Sequence, residues 1–148
     1  MSDPKKLNEN STKAGNGRYI FDMNELAGMD AGPGYSSAHG PVVEGDRMQV
    51  GLINFPRGTG ARPHTHPNEQ WIYILKGEVR VSVDNQPESC ASVGSLIYLP
   101  ADTVHSMVAL PGEDVIFFTC KDTSHGIIGK AIDGEMSGPR FESDSGNK

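Results

Sequence analysis

The chain has 148 residues, a formal net charge of −6, five histidines and two cysteines, and 36% of its residues are hydrophobic. That length suits one domain with a real core, the acidic balance argues against nucleic-acid binding, which usually needs a basic face, and no apolar run approaches the roughly 20 residues of a membrane-crossing helix. Met1-Ser2-Asp3-Pro4-Lys5-Lys6 lacks the apolar centre of a secretion signal, so the expected location is cytoplasmic, with Cys90 and Cys120 as reduced, buried or half-buried thiols.

Residues 1–18, polar and rich in Asn, Lys, Ser and Gly, are expected to form a flexible tail, as are residues 134–148, which leaves one domain over 19–133. Asp22, Glu25 and Gly28 stand at the cap, capping-box and stop positions of a helix of one or two turns. From Tyr35 the apolar period becomes two. Tyr35–Val43 and Arg47–Phe55 flank a hairpin turn at Glu44-Gly45-Asp46, and Val79, Val81 and Val83 alternate with Glu78, Arg80 and Ser82. Further short strands are expected at Ser95–Leu99, Val104–Leu110, Val115–Cys120 and Gly126–Ile132. About eight short strands separated by turn signals predict an all-β sandwich or jelly-roll barrel.

Two segments, Trp71-Ile72-Tyr73-Ile74-Leu75 and Val115-Ile116-Phe117-Phe118, are apolar on both faces. A barrel wall with one face in water should alternate instead. Either another element of the same chain or a second copy of it must cover the outer face, and the expected cover is the second copy, in a homodimer.

His64-Thr65-His66 stands at the start of a strand-like segment. Residues i and i+2 of a strand share a face, so the two imidazoles aim at one point, as nitrogen ligands of a divalent metal do. An unbroken strand would carry Gln70 about 13 Å from His66. The turn signal at Pro67-Asn68 folds it back onto the face of Ile72 and Ile74. His105, opening a later strand, is a fourth candidate.

With these residues in hand, Gly58-x5-His64-x-His66-x3-Gln70-x6-Gly77 is similar to the first motif of the cupins, and Gly94-x5-Pro100-x-Asp102-x2-His105 resembles the second. The resemblance spans roughly residues 45–120. It implies a double-stranded β-helix, the cupin jelly-roll barrel, with a divalent transition metal (Mn, Fe, Co, Ni or Zn) near one mouth, held by His64, His66, Gln70 and His105. Three positions depart from the family pattern: Gln70 replaces the usual Glu, Asp102 the usual Gly and Ala109 the usual Asn. The first departure bears on chemistry, the others mainly on turn geometry.

Three neutral imidazoles and a neutral amide would leave the full charge of a divalent ion uncompensated, which favours Lewis-acid activation of a carbonyl or hydroxyl. The expected function is therefore a metal-dependent lyase or isomerase acting on a small oxygenated metabolite. An Fe(II) dioxygenase and a non-catalytic small-molecule-binding barrel are the alternatives. Around the ligands, Arg62 is a candidate for steering an anion, Glu69 a mouth residue or surface carboxylate, and His125 and His39 loop histidines able to titrate near neutral pH.

Overall fold

Alternation of apolar and polar residues, interrupted every few positions by Gly, Pro, Asn or Asp, breaks the chain into many short strands. The computed structural model describes residues 6–145. In chain order these are β1 (Thr12–Lys13), β2 (Met29–Asp30), β3 (His39–Gly40), β4 (Val42–Glu44), β5 (Met48–Phe55), β6 (Thr59–Thr65) and β7 (Gln70–Lys76). They continue with β8 (Val79–Val83), β9 (Ser89–Ala91), β10 (Leu96–Leu99), β11 (His105–Ala109), β12 (Val115–Asp122), β13 (Lys130–Ala131) and β14 (Arg140–Phe141), before one helical turn, α1 (Glu142–Ser145). The helix considered near Asp22 is a single turn, with Asp22 accepting from the backbone of Asn24 and Glu25.

Two sheets form the barrel. One runs β1-β4-β5-β12-β7-β10 with β3 on β5 and β2 on β3, and the other β13-β6-β11-β8-β9 with β14 on β6. Neighbours in the order are mostly distant in sequence, as a jelly roll requires. Between the sheets lies an apolar core containing Ile53, Phe55, Ile72, Ile74, Leu99, Met107, Val115 and Phe117, all buried. Within the stretches expected as tails, β1 pairs in parallel with β4 and β14 pairs with β6. The second of these lays Arg140 over β11, where it donates to Ser106 Oγ. That cover explains why β11 is buried on both faces.

A bulge in β6 positions the site. His105 pairs with His64, but Met107 pairs with Ala61, so Arg62 and Pro63 together oppose Ser106. Pro63 has no N–H to give a neighbouring strand, which is why a bulge accommodates it. The extra residue shifts the alternation, so that Ala61 and His64, three apart, both face inward.

The outer face of the first sheet carries Trp71, Tyr73 and Leu75 on β7, Leu96 and Tyr98 on β10, and Phe118 on β12, each between 42% and 60% exposed. Trp71 and Tyr98 stack with ring centroids 4.6 Å apart. No other described segment of the chain covers this stripe.

Candidate metal centre

His64 is the penultimate residue of β6, His66 follows the strand in the turn, and His105 opens β11 beside His64. The pair therefore stands at the end of one strand rather than the start of another. The bend at Pro67-Asn68 then returns the chain into β7, whose first residue, Gln70, points inward with Ile72 and Ile74. All four side chains are buried. The imidazole centroids of His64 and His105 lie 4.2 Å apart, those of His66 and His105 4.8 Å, and a ligand atom from each ring falls within 4.8 Å of the others.

The tautomers follow from the hydrogen bonds. Nδ1 of His64, His66 and His105 lies 2.7, 2.9 and 3.0 Å from the carbonyl oxygens of Arg62, Asn68 and Thr103. A carbonyl only accepts, so each Nδ1 carries the proton and each Nε2 keeps a lone pair. Burial holds the imidazolium forms far down: His66 to about 4, His105 to about 3, and His64 well below its ordinary value of 6.5. Nε2 of His66 is fully buried and has no hydrogen-bond partner among the described residues. An orphaned acceptor there is costly, and a cation is what the three lone pairs can share. This donor set fits a divalent transition metal.

Gln70 is oriented by a relay. Thr119 Oγ1 donates to the carbonyl of Trp71, so it can only accept from Gln70 Nε2, at 2.7 Å. The amide nitrogen is thereby directed to Thr119, and the amide oxygen is the end left to act as a donor atom.

The imidazoles of His64 and His105, with Gln70, line one end of a cavity of about 50 Å³, whose other walls include Ile53, Phe55, Ile72, Leu99, Met107 and Phe117. Two lining residues escaped the sequence reading. Lys121 is buried on β12, and its Nζ donates to the carbonyl of Ile127 at 2.7 Å. Burial draws its ammonium down to about 7. Its signal was parity: Val115, Phe117, Thr119 and Lys121 are the inward set of β12, but the strand was expected to stop at Cys120. Tyr35 is also buried; its ring lies 4.5 Å from that of His64, and its hydroxyl accepts the N–H of Gly129. Burial pushes the phenol up to about 12, so it keeps its proton.

Other candidates fall outside the site. Arg62 cannot steer an anion, because its guanidinium is bound to Asp133 and the carbonyls of Gly34, Glu135 and Gly138. Glu69 is exposed and accepts from Tyr98 Oη. His125 is exposed on a loop, and exposed His39 pairs with Asp30. Cys120 is half-buried as expected, whereas Cys90 is exposed; both are free.

Asp102, where the family pattern has Gly, adopts φ +58°, the left-handed region that Gly occupies most easily. Its N–H donates to the carbonyl of His66. The turn geometry of the motif is thus kept despite the substitution.

A jelly-roll barrel with three convergent histidines at one end defines a class, and the comparisons with known proteins agree. The family described as "Cupin domain" matches residues 51–120. The fold is shared with KdgF from Halomonas sp. (24% identity, TM-score 0.60, covering 70% of this chain and 94% of that one) and with an RmlC-like cupin from Shewanella frigidimarina (20%, 0.59, 70% and 89%). Residues 51–120 thus match the cupin domain family, and the chain has the cupin fold. Among curated proteins it is similar to dimethylsulfoniopropionate lyase DddW of Ruegeria pomeroyi, 33% identical over 64 residues. That match covers 43% of this chain and 41% of the lyase.

Proposed function

We propose that His64, His66, Gln70 and His105 hold a divalent transition metal and that the protein is a metal-dependent lyase acting on a small oxygenated metabolite. The observation that carries this reading is the convergence of three buried histidines whose Nδ1 atoms are held by carbonyls, with one buried Nε2 that has no partner among the described residues. The likeness to a curated lyase supports lyase chemistry over the isomerase alternative.

When bound, the ion supplies Lewis acidity toward a substrate oxygen, undiminished by any carboxylate ligand. The chain's own residues do the rest. Carbonyls of Arg62, Asn68 and Thr103 fix the imidazole rings, a role such outer partners play at metal sites generally. Thr119 turns the Gln70 oxygen inward. The aliphatic and aromatic walls exclude water. Tyr35 Oη, protonated and already accepting from Gly129, is placed to donate its hydrogen to a substrate oxygen or leaving group.

The test is turnover of dimethylsulfoniopropionate and other β-substituted propionates by Mn- or Zn-loaded protein under anaerobic conditions, read by NMR of the alkene product. Alkene formation without oxygen supports a lyase. A strict oxygen requirement with Fe(II)-dependent oxygen uptake would replace it with the dioxygenase, which the three-histidine set also suits. The apolar stripe on β7, β10 and β12 supports a homodimer, and Phe118→Glu should convert a dimer to monomer in sedimentation. A wild-type monomer at micromolar concentration would rule that assembly out.

A further inference from the structure

We propose that the cavity binds a short-chain carboxylate whose carboxylate group pairs with Lys121. The proposal starts from a charge inventory of the cavity. Lys121 is the one charged side chain on its wall, and no Asp or Glu lines it. Among the described residues Lys121 makes no ion pair, and Ile127 O is the acceptor its Nζ meets. The neighbouring Asp122 carboxylate is occupied elsewhere, accepting from Glu69 N and from the backbone and hydroxyl of Ser124.

A structural pin for the loop after β12 does not need a charge. Gln49 and Asn68 hold the carbonyls of Asp122, His125 and Gly126 on that same loop with neutral amides. Lysine at position 121 brings a buried amine that no carboxylate of the cavity wall matches, and a bound anion beside it would favour its charged form. An ammonium has three donors, of which the loop takes one.

The class of anion follows from the surroundings. A single cationic side chain matches a monoanion, whereas a phosphate with two charges would leave one unmatched. The apolar walls formed by Ile53, Ile72, Leu99 and Phe117 suit a short hydrocarbon portion, and about 50 Å³ admits only a few non-hydrogen atoms. The inference rests on the metal-dependent lyase reading for what happens to the bound molecule, but its binding rests on Lys121 alone.

The test is calorimetric titration of propionate, and of its neutral isostere propionamide, into wild type, Lys121→Met and Lys121→Gln, each metal-free and Zn-loaded at constant ionic strength. Propionate should bind wild type in both forms and at least tenfold more weakly to both variants, with propionamide indifferent to the substitution. Metal content, measured on the same samples, should be equal in all three proteins. Equal propionate affinity in wild type and both variants would overturn the role of Lys121, and no propionate binding to wild type would overturn the carboxylate class. Absence of metal with Lys121-dependent propionate binding intact would instead defeat only the metal reading.

Discussion

Two buried polar regions lie within reach of one loop, and they are built on opposite rules. In the first, Glu44 is almost fully buried, yet its carboxylate accepts from Leu7 N, Asn8 N, Asn8 Nδ2 and Ser11 Oγ. Asn8 continues the network to Gln49 Oε1 and accepts from Ile127 N. In the second, the imidazoles of His64, His66 and His105 are also buried, each is held through Nδ1 by a backbone carbonyl, and Nε2 of His66 has no partner among the described residues. The first region is a completed network that ties the N-terminal segment to the barrel. The second leaves a buried histidine nitrogen without such a partner, and because buried polar atoms are normally paired, this supports the proposed metal site.

Acid should separate the two regions most sharply. The histidines have an ordinary value of 6.5 and folded values near 4 for His66 and 3 for His105. Between those limits the unfolded chain binds more protons, so stability falls as pH drops below 6.5. For metal-free protein the two together predict a loss of roughly 3 kcal/mol between pH 6.5 and 5, since each group approaches about 1.4 kcal/mol per pH unit only once the unfolded imidazole is mostly protonated, measured by urea unfolding. Glu44 behaves differently. Burial opposes its charge, but the hydrogen bonds from Ser11, Leu7 and Asn8 prevail and lower its folded value below 4.5. Its contribution is therefore complete above 4.5 and is lost only as pH falls through the lower folded value. A flat stability profile between pH 6.5 and 5 would contradict buried neutral imidazoles.

Substitution gives the next contrast. Glu44→Ala strands several donors and should cost about 3 kcal/mol in urea unfolding, while the folded protein keeps its metal content. Asn68→Ala removes the side-chain amide that holds the loop after β12 but keeps the backbone carbonyl that accepts from His66 Nδ1. A stability loss of about 2 kcal/mol is expected in unfolding, with metal binding, read by competition with a chelator, changed far less than by His66→Ala. Smallest of all, Asp102→Gly relieves the left-handed backbone at φ +58°. It should leave metal binding unchanged and stabilise the protein by at most about 1 kcal/mol; a clear loss would mean that the Asp102 side chain has a role beyond the turn.

The histidine region was largely legible in the sequence, and the Glu44 region was not. Metal-ligand residue types at motif spacing can be read directly, and the turn at Pro67-Asn68 brought Gln70 back as expected. Strand parity, in contrast, failed at Arg62-Pro63, where the bulge resets which residues face inward. Glu44 and Asn8 look like turn and tail residues, because their burial depends on partners 36 positions apart. Lys121 was missed for a related reason. A lysine ending an apolar run normally marks the point where a strand meets water, and only the pairing of β12 with both β5 and β7 carries it into the interior.

The most direct test of the account is metal analysis of protein purified without a histidine tag, beside the double variant His64→Ala/His66→Ala. The account predicts close to one transition-metal ion per folded wild-type chain and a loss of nearly all of it in the variant. Equal, negligible metal in both, after incubation with Mn, Fe, Co, Ni and Zn in turn, would contradict it.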